Sequence, residues 1–170
     1  MGAAALGAKI VNVKQCLVFC LAFASALLGQ DPYKGPVPEK ADLPYIRHAN
    51  KLVPTDIGEA KDESAKNDTI YTLAGAASTA RTPLTEPSFI VKVDKLNVQQ
   101  MQLYRMEAKG GRRVLTLPKN PKKNSPRSLR LSLDPLSSGL YKLEVQEPLD
   151  AGEYCLSPSG TNSVFCFAVY

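Results

Sequence analysis

The sequence predicts an all-β fold, an antiparallel β-sandwich of about 7–8 short strands. Residues 128–133 and 140–145 alternate apolar and polar side chains, as strands with one buried face do. Turn-forming Gly, Pro, Asn and Ser residues recur about every 8–12 residues, and the chain beyond residue 40 sustains no helical periodicity. A sandwich and a barrel both fit this pattern, and we favour the sandwich.

The C-terminal residues 149–170 predict a β-hairpin stapled by a disulfide. With the turn centred between Gly160 and Thr161, Cys155 faces Cys166 across the two strands. One face then carries the large apolar side chains Tyr154, Leu156, Phe165, Phe167 and Val169. The cysteines lie on the opposite face, away from the predicted core. If function lies near this hairpin, we expect it in the exposed loop at residues 157–163.

The other elements follow from local composition. Pro44 and Pro54 limit residues 41–60 to one or two short edge strands or turns. Strands are predicted at residues 69–73, 88–93, 98–108, 112–117, 128–133 and 140–145. Loops are predicted at residues 59–68, 75–87, 109–111, 118–126 and 135–139, with a short surface helix as the alternative for residues 59–68.

The first 29 residues predict a cleaved signal peptide. Lys9 and Lys14 precede an apolar run at residues 16–28, which is shorter than the about 20 residues that span a membrane comfortably. An uncleaved anchor is the alternative. Residues 30–40 are rich in Pro and Gly and predict an extended linker, which leaves residues 41–170 as a single domain. We expect a secreted or periplasmic protein.

Removal of the signal peptide changes the cysteine count and the charge. Of four cysteines only Cys155 and Cys166 remain, as expected for one disulfide in an oxidising compartment. The 21 basic residues fall to 19 against 16 acidic ones, so the net charge drops from +5 to +3. The mature protein is therefore only mildly basic.

Asp150-Ala151-Gly152-Glu153-Tyr154 is similar to the D-x-G-x-Y corner of immunoglobulin-like domains. The resemblance implies an immunoglobulin-like sandwich in which the Tyr154 hydroxyl bonds to nearby backbone. It covers about residues 149–170 and implies no activity. Leu156 stands where that family places its core cysteine, and the chain has no Trp. An inter-sheet disulfide of the antibody kind is therefore excluded.

Catalytic chemistry has little support in the sequence. The single histidine, His48, has no metal-ligand partner at helical or turn spacing, so we predict no metal, cofactor or catalytic residue. A small secreted hydrolase stays as the third alternative, and a pocket holding His48 with Asp42 or Asp56 would support it.

A basic segment is the sharper candidate site. Eight cationic residues and no acidic ones lie between residues 108 and 132: Lys109, Arg112, Arg113, Lys119, Lys122, Lys123, Arg127 and Arg130. They are candidates for binding an acidic polysaccharide or a membrane surface. Solubility and protection of sheet edges are the alternative reason for these charges. We expect no nucleic-acid binding, because no aromatic side chain interrupts residues 109–132.

The leading hypothesis is an exported, non-enzymatic module that interacts with a protein or an envelope polymer. Anion binding by the basic segment is its alternative. No stable membrane insertion is expected after signal cleavage. Carbohydrate binding usually relies on exposed aromatic side chains, and the chain has no Trp. The exposed aromatic candidates are Tyr33, Tyr45 and Tyr104, which is thin support.

Overall fold

The computed structural model describes residues 33–170, so the predicted signal peptide lies outside the described residues. Residues 33–40 of the predicted linker are described; they form no strand, and Pro38 is buried. The rest of the described chain is all-β, with one 3-10 turn at Val98–Gln100.

Residues 33–170 contain thirteen strands, more than the about 7–8 predicted, because several have only two to four residues. In chain order they are β1 Pro44–His48, β2 Lys51–Pro54, β3 Asp56–Glu59, β4 Lys61–Asp62, β5 Asp68–Ala74, β6 Arg81–Thr82, β7 Ser88–Lys92, β8 Met101–Lys109, β9 Arg112–Pro118, β10 Leu131–Ser137, β11 Leu140–Val145, β12 Gly152–Pro158 and β13 Ser163–Val169.

The strands form two sheets. The smaller has the order β10-β11-β7-β1-β2, and all its pairs are antiparallel. β1 lies between β2 and β7, so the prediction of edge strands before residue 60 is wrong for β1. Tyr45 on β1 is only 6% exposed, which corrects its place among the exposed aromatics. Its hydroxyl accepts the backbone N–H of Lys40 at 3.3 Å.

The larger sheet has the order β3-β13-β12-β8-β9-β5-β4 and curls until it nearly closes. Its two end strands, β3 and β4, are separated in sequence only by Ala60. One bent segment, residues 56–62, therefore pairs with β13 on one side and with β5 on the other. We call this sheet the rolled sheet. The short β6 adds a parallel contact at the end of β13.

Gly58 allows this close approach. A Cβ atom added at Gly58 would lie 2.8 Å from Cδ2 of Leu73 on β5 and 3.5 Å from Cγ2 of Val164 on β13. A larger side chain at this position would require the Leu73 side chain or the bent segment to shift. Residues 59–68 were predicted to be a solvated loop, and the β4 pairing at Lys61–Asp62 corrects that prediction.

The two sheets share one apolar core. Phe89 from the smaller sheet packs edge-on against Phe167 from the rolled sheet, with ring centroids 5.0 Å apart. Both rings have no exposed surface, and burying each contributes about 1.5–3 kcal/mol to folding. The buried members include Ile46, Phe89, Val91, Leu103, Leu143, Val145, Tyr154, Leu156, Phe165, Phe167 and Val169.

The C-terminal hairpin is confirmed in its register. Tyr154 pairs with Phe167, Cys155 with Cys166 and Leu156 with Phe165. The two cysteines form a disulfide with an S–S distance of 2.05 Å. The Tyr154 hydroxyl donates to the carbonyl oxygen of Asp150 at 2.9 Å, so the predicted contact between this hydroxyl and nearby backbone is present.

The glycine hairpin is also confirmed, whereas the strand before β11 is displaced. Gly110 and Gly111 connect β8 to β9 with φ angles of 59° and 74°, which L side chains rarely adopt. β10 runs over Leu131–Ser137 instead of the predicted residues 128–133. Pro135 is tolerated within β10 because it lies at an edge strand beside a bulge.

Candidate functional site

The interior of the rolled sheet is a second apolar cluster, separate from the core between the sheets. Alternate side chains of β5, β8, β9, β12 and β13 point into it, because neighbouring residues of a strand face opposite sides. The buried members are Ala60, Leu73, Met106, Leu115, Cys155, Val164 and Cys166, with Tyr71, Tyr104 and Leu117 packed against them. Strands β12 and β13 are thus buried on both faces.

One end of this interior is closed by polar side chains. Arg113 continues the inward face of Leu115 along β9, and its Nη1 lies 3.8 Å from Oε2 of Glu153 on β12. Ser78 bridges the two: its hydroxyl accepts from Arg113 Nη1 at 2.6 Å and donates to Glu153 Oε2 at 2.7 Å. Arg113 also donates to the carbonyl oxygens of Gly75 and Ala74. The guanidinium is therefore satisfied within the protein.

The segment at residues 75–80 covers this closed end. In addition to the bond from the Ser78 hydroxyl, the Ser78 backbone N–H donates a hydrogen bond to Glu153 Oε2 at 2.9 Å. The Asp56 carboxylate accepts the backbone N–H and the hydroxyl of Thr79, and the N–H of Ala80 at 3.4 Å. Two carboxylates of the rolled sheet thus fasten this loop over the closed end.

The other end opens into a pocket of about 360 Å³. Its depth is formed by Leu73, Met106, Leu115, Cys155 and Val164, and its rim by Gln102 and the loop between β12 and β13. Ser157 and Pro158 at the end of β12 also line the rim, and the loop contributes Ser159, Gly160, Thr161 and Asn162. The segment predicted as an exposed loop, residues 157–163, therefore lies at the mouth of the pocket, although its first two residues belong to β12, its last belongs to β13 and Pro158 is buried.

Two tyrosines, Tyr71 and Tyr104, also line the pocket. The Tyr104 hydroxyl donates to Oε1 of Gln102 at 2.9 Å. Burial raises the pKa of Tyr104, and the nearby Tyr71 raises it further, so its phenol stays neutral well above physiological pH. This phenol can therefore donate or accept a hydrogen bond but adds no charge to the pocket.

The disulfide forms part of the pocket wall. Cys155 and Cys166 face away from the core between the sheets, as predicted, yet they are not exposed: their residues are 2% and 0% accessible. The sequence could not show this second buried cluster, since each predicted strand was assigned only one buried face.

The basic segment does not form one uniform surface. Arg113 is 6% exposed and belongs to the closed end of the rolled sheet. Arg112, its neighbour on β9, forms an exposed ion pair with Glu63 at 3.2 Å. Arg127 and Arg130 both approach Glu147, at 2.9 Å and 3.7 Å.

The four lysines of the segment differ in their contacts. Lys119 Nζ donates to the backbone carbonyl oxygens of Ala65 and Lys66, both at 3.1 Å. Lys109, Lys122 and Lys123 are exposed, and none of them forms a salt bridge with residues 33–170. The adjacent pair Lys122 and Lys123 lies in the loop between β9 and β10.

His48 lies at the end of β1, half-buried, and is not among the residues that line the pocket. The two candidate acidic partners are engaged elsewhere. Asp42 accepts the backbone N–H groups of residues 94–96, and Asp56 holds Thr79. None of these three residues lines the pocket of the rolled sheet.

Comparison with protein-family models, curated proteins and solved structures gives no match to this chain. Within residues 33–170, no helix is long and apolar enough to cross a membrane. The same stretch holds no cluster of three or more His, Cys, Asp or Glu side chains suited to a metal ion.

Proposed function

We propose that this protein is an exported, non-enzymatic binding module that holds a small apolar or amphipathic molecule inside its rolled sheet. The observation that carries the proposal is the pocket of about 360 Å³, which is apolar in its depth and polar at its rim. Small-molecule sites in proteins occupy about 300–1,000 Å³ and combine an apolar lining with a few polar groups. Small-molecule sites are often found in the mouths of β-barrels, and the rolled sheet nearly closes on itself in the same way.

The walls of the pocket are held in place before a ligand arrives. β12 pairs with both β8 and β13, and β9 pairs with both β5 and β8. The disulfide joins two of these strands across the wall. Binding to such a site costs little ordering of the protein, because most of the lining side chains stand on paired strands.

The compartment and the fold family belong to the same proposal. The disulfide is consistent with an extracellular or periplasmic location, and the predicted signal peptide supports export. The contact of Tyr154 with the Asp150 carbonyl supports a relationship to immunoglobulin-like domains. We propose that the rolled sheet is an elaboration of such a sandwich.

Binding of an uncharged fluorescent probe, N-phenyl-1-naphthylamine, to the oxidised exported protein tests the proposal. Leu117→Trp replaces a leucine side chain of the pocket lining by a bulkier indole ring, which takes up space in the pocket. We expect this change to weaken the probe's affinity at least tenfold. Thr116→Trp is the matched control, since Thr116 is the preceding residue on β9 and is exposed on the other face. Circular dichroism and thermal unfolding establish that both variants fold.

Saturable binding that is lost in Leu117→Trp and kept in Thr116→Trp supports the pocket as the site. Absence of saturable binding, or equal affinity in the two variants, overturns the proposal.

Anion binding is the second candidate, supported by the exposed pair Lys122 and Lys123. Charge reversal to Glu at both positions should weaken retention on anionic vesicles at low salt, with little difference at high salt. Unchanged retention at low salt removes this candidate.

A further inference from the structure

The lining of the pocket has no charged residue, although 22% of the chain is Asp, Glu, Lys or Arg. Its sixteen residues are apolar, hydroxyl-bearing or amide-bearing, or Gly, Pro and a disulfide-bonded Cys. Ala60 lies between Glu59 and Lys61, and both of these are exposed while Ala60 is buried. The alternation thus turns the charges of Glu59 and Lys61 away from the pocket.

The charges of Arg113 and Glu153, inside the same rolled sheet, are unavailable to a ligand. Arg113 and Glu153 lie at the closed end, where they contact each other and Ser78. Neither lines the pocket. An ionised ligand group entering the pocket would therefore lose hydration without gaining a counter-charge, which is unfavourable.

The rim offers hydrogen bonds without charge. Gln102 and Asn162 contribute amides, and Ser157, Ser159 and Thr161 contribute hydroxyls. The depth below is formed by side chains such as Leu73, Met106 and Leu115, which offer only apolar surface. A ligand that matches both zones has an apolar body and a polar but uncharged end.

We infer that the ligand of the pocket is an uncharged amphiphile, with its alkyl chain or ring system in the depth of the rolled sheet and a hydroxyl or amide group at the rim. This inference rests on the proposed function, since it names the ligand class of the same site. The single hydroxyl of a fatty alcohol is the simplest probe of this chemistry.

Displacement of N-phenyl-1-naphthylamine from the oxidised exported protein at pH 7.5 compares three probes with the same chain length: decanol, decanoate and the decyltrimethylammonium ion. Decanol is expected to bind at least tenfold more tightly than either ion. Within the series octanol, nonanol and decanol, each added methylene should increase the affinity about fourfold while it enters the apolar depth.

A variant that adds a charge to the rim sharpens the test. Ser157→Lys, at the half-buried rim end of β12, should increase the affinity for decanoate about tenfold relative to the affinity for decanol. Thr116→Lys adds the same charge outside the pocket and should change neither affinity. Both variants are compared by thermal unfolding with the parent protein.

The outcomes separate the two proposals. Tight decanol binding with weak binding of both ions supports the uncharged ligand. Equal binding of the three probes leaves the pocket as an apolar site but overturns the uncharged class, as does preference for either ion. Binding of none of the probes, including the naphthylamine, overturns the proposed function as well.

Discussion

Arg113 and Glu153 meet inside the rolled sheet, with Nη1 and Oε2 3.8 Å apart and the Ser78 hydroxyl between them. Their side chains are only 8% and 13% exposed. Arg113, a basic residue of the cationic sequence segment, thus has a structural role, because it closes one end of the interior of the rolled sheet. Its partner, Glu153, lies within the D-x-G-x-Y corner of the C-terminal hairpin.

Arg113→Met is expected to lower the free energy of unfolding by about 3 kcal/mol, because it leaves the Glu153 carboxylate buried without its partner. Arg112→Met is the matched control: its ion pair with Glu63 is exposed, and such pairs contribute at most about 1 kcal/mol. Urea denaturation at pH 7 measures both. The double variant Arg113→Met/Glu153→Met should be more stable than the sum of the single changes predicts. A loss at Arg113 no larger than at Arg112 would contradict the buried pair.

Tyr154→Phe tests the hydrogen bond to the Asp150 carbonyl at 2.9 Å. The ring stays in the core, stacked on Phe167 with centroids 5.7 Å apart, so only the hydroxyl is removed. We expect a loss of about 1 kcal/mol in the free energy of unfolding, the usual net value of such a bond. Tyr141→Phe, which removes a hydroxyl from a half-buried ring at the margin of the same core, should change it by less than about 0.5 kcal/mol. Equal effects in the two variants would remove the special role of the Tyr154 hydroxyl.

The hairpin was predictable because its contacts are local. Strand alternation and a short loop determine which residues face one another, so the pairing of Cys155 with Cys166 follows from sequence parity. The glycine turn at Gly110 and Gly111 is similarly local. In both cases the information lies within about twenty consecutive residues.

The pocket was not predictable, because it depends on how distant strands close into a roll. The bent segment appears in the sequence as polar and charged, since Ala60 is its only buried residue and Glu59 and Lys61 are exposed. Tyr71 and Tyr104 were expected in strands or on the surface, but nothing indicated that they approach each other. Small residues at Gly58 and Ala60, alternating with larger exposed ones, are the one signal of a tightly packed inner face.

Glu147 predicts a pH dependence of stability. Its carboxylate accepts the Arg130 backbone N–H at 2.7 Å and Arg127 Nη2 at 2.9 Å, and these contacts, the backbone one first, hold the pKa of Glu147 below its usual value. A lowered pKa stabilises the folded state above the unfolded value of about 4.3, and this contribution is lost as the pH falls through the folded value.

Glu147→Gln should therefore be less stable than the parent protein at pH 7, with a difference that shrinks below about pH 4. Glu86→Gln is the control, because Glu86 is exposed and forms no salt bridge with the other described residues. Urea denaturation between pH 7 and pH 3 measures the difference. A constant deficit of Glu147→Gln across this range would show that its carboxylate pKa does not change on folding.

The disulfide between Cys155 and Cys166 is expected to resist reduction while the protein is folded. Both residues are almost fully buried, so a thiolate reductant reaches the sulfur atoms only after the rolled sheet opens. Intact mass should show two thiols alkylated after reduction in 6 M urea, and none after the same reductant in native buffer. Replacing both cysteines by Ala should lower the free energy of unfolding by about 2–3 kcal/mol, the contribution expected for a short closed loop. Rapid alkylation of both thiols in native buffer would mean that the pocket wall opens readily, and the affinity of the naphthylamine probe should then fall on reduction.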